Sequence, residues 1–460
     1  MIGRLTARQR RWLVGGSMGA FFLAAAVWLV LRDDPPPDET VLLTEPPSTE
    51  PGPRSESVVG ALIEIAAALP EARDWPEIDR EPPETWVASA YERIYGRRRD
   101  AELLEQMRRY FEEEASALDR VEAAISREDM GWSLTSALRD LVPGDDAIDA
   151  VIDQLEDRAR WHRARGDAAA ASRDLELGVR LGERFVADGV ECTGQLEFAA
   201  GHLRRSIDQL DSILRDGGID PDVEARILGR TPASVREPRV ARRCLEDVYR
   251  AWREYVDGIG RSESRMGRRS SFASLPSLAF KPNRTLARLG EVLGAVSAEA
   301  DRPPPEREFP PEVPLEYEGI RLRILLNLNS GEYLLVAFSS QLRNVFDHLD
   351  WLRLEENALR LHIALRRYER LHGALPVDLE ALLAAVPELS SLPRDPFSGK
   401  PFRYDPAVRI FWSVGPNGVD DGAPGWAEFD GTGIPPIQKS PPDRVWWLPP
   451  APMPTGAPSR

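Results

Sequence analysis

The sequence predicts a mainly α-helical protein. It comprises a single N-terminal transmembrane helix, an irregular body of helix hairpins, and a small C-terminal α+β module with a short antiparallel β-hairpin. Three observations carry this. Residues 12–31 contain no charged side chain, and about twenty apolar residues are what a helix needs to cross a bilayer. Between residues 58 and 302 apolar residues recur at helical spacing, parted by glycine-containing turns. From Pro401 onward short aromatic and β-branched runs take over, the mark of strands.

With 460 residues, 42% hydrophobic and 29% charged, the chain has room for two or three domains. A net charge of −16 excludes nucleic acid as a partner, since phosphate binding needs a basic face. The basic residues are arginines except for Lys281, Lys400 and Lys439. Cys192 and Cys244 are too few for a disulfide framework or a zinc site.

Taken in order, residues 1–11 form a basic N-terminus with Arg4, Arg8, Arg10 and Arg11 and no acid. Arginines before the span at 12–31 orient it with the N-terminus in the cytoplasm. That predicts an inner-membrane anchor with an extracytoplasmic, periplasmic body. Bulky Val27 to Leu31 carry the apolar run past the short core of a cleaved signal peptide. Gly15 and Gly19 give the helix a small-residue face through which two copies would pair as a homodimer. Gly15 to Gly19 also spell a nucleophile-elbow pattern, which has no meaning without a strand-to-helix turn. Residues 32–57 are a proline-rich linker.

The helical body covers 58–302. A helix is expected over Ala101–Ser126, and others over Asp145–Trp161, Asp167–Val186 and Gln195–Leu214, joined by turns such as Arg165-Gly166-Asp167. Short turns between such helices imply antiparallel hairpins. Residues 303–316 are a proline-rich boundary. The segment 317–433 holds a long helix stopped by His372-Gly373, a short helix opened by Pro376 with Leu379, Leu382 and Leu383 inward, and strands at Pro401–Tyr404 and Val408–Val414. Residues 434–460 are a proline-rich tail carrying Trp446 and Trp447.

Within this last segment the marks run Tyr368, His372-Gly373, Leu375-Pro376, Leu379 to Leu382, Pro393-Arg394-Asp395-Pro396-Phe397, Gly399, Pro401, Tyr404, Ser413-Val414-Gly415, Asn417-Gly418 and Asp420-Asp421-Gly422. Their order resembles the C-terminal domain of the major pseudopilin of type II secretion. The resemblance covers Glu355 to Ala423 only. It implies a role in a secretion-related or envelope assembly with protein partners there. It also implies a calcium-binding loop, with Asn417, Asp420 and Asp421 as ligands, a cluster of oxygens that suits a hard cation. The chain departs from the family at Gly19-Ala20-Phe21, where the acid of the pilin processing site is missing, so it is not expected to be processed as a pilin.

None of the five histidines, His162, His202, His348, His362 and His372, falls in a metal-ligand pattern, and no phosphate-cradling glycine loop is present. His348 and His362 share one face of a helix. The expected function is therefore structural or interactive rather than catalytic. A helical scaffold unrelated to secretion is the second reading, and an unrecognised hydrolase the third.

Overall fold

The computed structural model describes residues 57–69, 107–114, 116–128, 145–189, 193–216, 218–230, 237–261, 282–308, 330–422 and 444–448. Over these residues the protein is mainly helical, with one antiparallel sheet of three strands. The chain divides into a larger compact unit, Pro47–Cys244, Ala300–Arg307 and Val345–Arg460, and a smaller one, Met1–Pro46, Leu245–Glu299 and Glu308–Asn344.

The membrane expectation is corrected. Among the described residues no helix is long and apolar enough to cross a membrane. The expected span, 12–31, and the glycine face on it lie outside the described residues. Even the longest described helix, 43 residues over Ser330–His372, carries ionisable side chains along its length, Arg343, Asp347, Asp350, Glu355 and Arg360 among them. A single-pass anchor, the inner-membrane localisation and the periplasmic placement that followed from it are therefore not supported.

In the larger unit, helix α1 (Val58–Ala68) starts where Ser57 Oγ accepts a hydrogen bond from Gly60 N at 3.0 Å, an N-cap contact that satisfies one orphan amide. The single helix expected over Ala101–Ser126 is broken. A π turn at Tyr110–Glu114 and a 3-10 turn at Ser116–Arg120 precede the short α2 (Val121–Ile125). Tyr110, Phe111, Leu118, Val121 and Ile125 are all buried along this segment.

Helices α3 (Asp145–Ala164) and α4 (Ala168–Arg184) form the expected hairpin. Gly166 takes the left-handed φ of +81° that the turn requires, and Asp167 caps α4 by accepting from Ala170 N at 2.9 Å. Arg158 on α3 ties the pair by a two-pronged contact to Asp174, at 3.0 and 2.7 Å, and reaches Asp119 at 2.8 Å. On its other side α4 packs against α5 (Thr193–Asp216). Buried Leu175, Val179, Leu196, Leu203 and Leu210 fill this layer, each worth about 1.5–3 kcal/mol relative to exposure. Gly178 and Gly182 let the two helices approach. A Cβ at Gly182 would lie 2.8 Å from Leu203 Cβ and 3.0 Å from its Cα.

Pro221 opens α6 (Pro221–Gly229), capped by Asp220. Helix α7 (Glu237–Arg261) carries buried Cys244; Cys192 is outside the described residues. In the smaller unit, α8 (Pro282–Ala298) buries Leu286, Leu289, Leu293 and Val296 on one face.

Helix α9 (Ser330–His372) ends at the expected stop, Gly373 at φ +76°, its amide bonded to Glu369 O at 2.8 Å. The next helix, α10 (Ala381–Ala385), starts later than Pro376 predicts, because Asp378 Oδ1 accepts from Ala381 N at 3.0 Å and fixes the entry there. Leu379 and Leu382 are buried as expected, whereas Leu383 is exposed. Strands β1 (Arg403–Asp405) and β2 (Ile410–Ser413) make the expected hairpin. The predicted two-stranded ladder is in fact three-stranded. Residues from the tail, Arg444–Trp447, pair with β2 as β3, in the order β1-β2-β3.

The α4–α5 contact makes a quantitative test. Gly182→Ala should lower the unfolding free energy by about 1–3 kcal/mol, the cost of overpacking. Gly201→Ala, at an exposed α5 position with no atom near the added methyl, should raise it by up to about 1 kcal/mol through helix propensity. Urea denaturation of both variants reads the opposite signs.

Candidate functional site

A ladder of ionisable side chains in the larger unit lies along α5 and α9. Glu197 Oε1 meets His348 Nε2 at 3.5 Å, Arg204 Nε meets Glu355 Oε2 at 3.3 Å, and Asp211 Oδ1 meets His362 Nδ1 at 2.5 Å. The partners advance by seven residues on each helix, so the two helices run parallel and in register. Seven residues is the interval at which a helix returns to the same face. His348 and His362 do share a face, as the sequence suggests, but each is taken up by its own carboxylate on α5.

The inner end of this ladder is buried. His362 is fully buried and its ring meets Phe411 edge-on at 6.1 Å. Burial alone would push the Asp211 carboxyl up; the charge and hydrogen bond of His362, with Arg215 behind it, outweigh that and hold it below the usual carboxylate range. Arg215 Nη2 is 3.0 Å from Asp211 Oδ2. Beside the pair is a cavity of about 10 Å³ lined by Asp208, Asp211, Glu355, Leu359, Arg444 and Trp446, room for about one water. Burial pushes the Glu355 carboxyl up, against the pull of Arg444, 2.9 Å away, and Arg204. Asp208 stands at the rim, 3.6 Å from Arg444.

His202 and His162 follow the same habit. His202 Nε2 meets Asp149 Oδ1 at 2.6 Å and its Nδ1 meets Arg205 Nη2 at 2.7 Å. Arginine can only donate, so Nδ1 accepts and Nε2 carries the proton given to Asp149. His162 lies 3.7 Å from Asp174. Burial first, then the charges of Arg158, Arg165 and Arg173, lower its pKa to about 4 against the pull of Asp167. His372, at the exposed end of α9, stacks on Tyr368 at 4.2 Å.

The C-terminal module is centred on Asp395, which sequence reading singles out only as one mark in the Pro393–Phe397 run. Asp395 is 1% exposed. Its carboxylate accepts from Phe397 N, Ser398 Oγ, Ser413 Oγ and Val414 N at 2.8–3.1 Å. It thereby joins the Pro-Arg-Asp-Pro-Phe turn to the end of β2. The signal available was the pairing of Asp395-Pro396 with a later Ser413 on a strand, which has no fixed spacing to search for. Trp351 against Phe397 at 5.5 Å and Asn357 Nδ2 donating to Arg394 O at 2.8 Å seat this turn on α9.

The three residues expected to hold calcium lie in one exposed loop. Asp420 accepts from Arg403 Nε at 2.7 Å, Trp412 Nε1 at 3.1 Å and Gly422 N at 3.2 Å. Asn417 Oδ1 accepts from Val419 N at 3.0 Å, and its Nδ2 is 3.4 Å from Asp421 Oδ2. Both oxygens of Asp420 are thus committed to donors of the module itself, and a cation would have to displace Arg403. Among the described residues no three His, Cys, Asp or Glu side chains are gathered so as to hold a metal.

No protein-family model, curated protein or solved structure matches the chain.

Two measurements test this electrostatic arrangement. Asp211→Ala should cost about 3–5 kcal/mol, since it leaves a buried partner behind. Asp211→Leu combined with His362→Phe should cost less than the sum of the two single changes, which a double-mutant cycle reads directly. Because the Asp211 carboxyl is depressed in the folded state, its stabilisation is present above the unfolded carboxylate pKa and is lost only as pH falls below it. His162 titrates with a pKa of about 4 in the folded chain, below the unfolded value of about 6.5. The unfolded state therefore binds the extra proton, and stability is full above about pH 6.5 and falls as pH drops toward 4. Ring-nitrogen NMR should show His162 neutral at pH 5.5, and His162→Gln should flatten the stability loss between pH 6.5 and 4.

Proposed function

We propose that this chain is a non-catalytic structural or interaction protein, a helical body that holds a pseudopilin-like C-terminal module for contact with protein partners in a secretion-type assembly. The observation that carries this reading is the closure of the Asp211–His362–Glu355 cluster. Its carboxylates are paired with His362 Nδ1 and with Arg204, Arg215 and Arg444, the buried His362 Nε2 having no hydrogen-bond partner, around a cavity that admits about one water. A general base must lie within hydrogen-bond reach of a bound substrate, and substrate pockets run to some 300 Å³ or more. A cluster sealed in this way positions one element on another. The order of motifs from Glu355 to Ala423 supports assembly as the context.

The module also offers contact surface. Val377, Val408 and Val419 are 88%, 44% and 55% exposed. Photo-crosslinkers placed at these three positions in the full chain, in its native cells, should capture protein partners that include secretion or pilus components. Crosslinks from positions on α3 and α6 alone, with none from the module, would instead favour the helical body as the binding surface.

A further inference from the structure

We propose that the exposed loop 415–422 carries a self-modification site. In it Asn417 closes onto the backbone nitrogen of Gly418 and is converted by water into aspartate and isoaspartate. The inference goes beyond the interaction reading and does not depend on it. Three observations carry it.

The first is the dipeptide and its setting. Asn417-Gly418 is the one Asn-Gly pair in the sequence. Attack on a side-chain amide by the next backbone nitrogen closes a five-membered ring, and a following residue without a Cβ leaves that approach open. Gly418 sits at φ +66°, and both residues are exposed. No atom lies within 4 Å of where a Cβ on Gly418 would stand, so the rest of the module does not shield the pair from that side.

The second is that the amide is held and polarised. Asn417 Oδ1 accepts from Val419 N at 3.0 Å, and Nδ2 lies 3.4 Å from Asp421 Oδ2. As the ring closes, negative charge grows on Oδ1, and a donor already placed there lowers the barrier. The reacting groups belong to adjacent residues, so no encounter step is needed.

The third is that the restraint on the nucleophile is small. Gly418 N donates to Gly415 O at 3.0 Å, a contact that must open before the nitrogen attacks. A single exposed hydrogen bond is modest in net terms and slows the reaction by about tenfold at most. Asn357 makes the contrast. It lies within α9, is followed by Ala358, and donates from Nδ2 to Arg394 O at 2.8 Å.

The chemistry balances with water as the only co-reactant. A bond forms between Gly418 N and Asn417 Cγ, the Cγ–Nδ2 bond breaks, and Nδ2 leaves as ammonia with the proton that Gly418 N gives up. Water then opens the cyclic imide at one carbonyl to give aspartate, or at the other to give isoaspartate. Either product sets a new carboxylate beside Asp421. Isoaspartate also lengthens the main chain by one methylene, which the turn closed by Gly415 O and Val419 N does not accommodate. Asp420 stays anchored by Arg403 and Trp412, so the change is confined to the tip that carries exposed Val419.

The test follows the full chain and a free peptide of residues 413–422 side by side near neutral pH, by proteolytic mapping and mass spectrometry. Asn417 should show the mass gain of NH2 replaced by OH, as both aspartate and isoaspartate, at a rate within about tenfold of the peptide's. Asn357 should not change. Gly418→Ala should slow conversion at least tenfold. Since alanine is strained at a positive φ, Asn417→Gln, which would have to close a six-membered ring, provides a second variant that leaves Gly418 untouched. It should show no gain at this position over the same period. A peptide that converts while Asn417 of the folded chain does not would overturn the proposal, as would an unchanged rate in Gly418→Ala.

Discussion

The contact between His362 and Asp211 is where the helical layer and the C-terminal sheet meet. It lies at the third rung of the α5–α9 ladder, and the His362 ring is also a wall for Phe411 of β2. A buried pair of this kind contributes little net stability over a well-packed apolar pair, but a slipped register leaves an uncompensated charge in the interior. With rungs seven residues apart, a shift of one helical turn breaks all three at once. The ladder thus selects a single alignment of two parallel helices that more than one hundred residues separate in sequence.

The arginine-rich composition acquires a structural meaning from the same principle. Arg158 grips Asp174 with two nitrogens and Asp119 with a third, a geometry that the planar fork of guanidinium allows and lysine does not. Arg204, Arg409 and Arg444 likewise each join elements that are distant in the chain. Exposed ion pairs are worth about 0–1 kcal/mol. These partners are different because Asp174, Glu355 and Glu369 are buried, and each would be costly to leave alone.

Local punctuation was legible in the sequence, and long-range partnership was not. The α3–α4 turn at Gly166, the α9 stop at Gly373 and the β1–β2 hairpin follow from residues that impose their own backbone conformation. The break within Ala101–Ser126 did not: Tyr110, Phe111, Leu118, Val121 and Ile125 keep helical spacing, and no glycine or proline marks the change of winding. Strand β3 was hidden by its setting. Arg444 to Trp447 are flanked by prolines on both sides, and four residues carry too little alternation to outweigh a composition that reads as tail. The seven-residue ladder is visible in hindsight as Glu197, Arg204, Asp211 and His348, Glu355, His362, yet nothing in either helix alone says that the other is its complement.

Glu355 connects these two layers of organisation. One of its oxygens belongs to the ladder through Arg204 and the other to β3 through Arg444. Even with both guanidiniums present, burial outweighs their pull and the carboxyl stays raised. The docking of β3 and the middle rung are therefore linked through a shared charge. Such linkage is reciprocal, so whatever tightens the α5–α9 register also favours the docked strand.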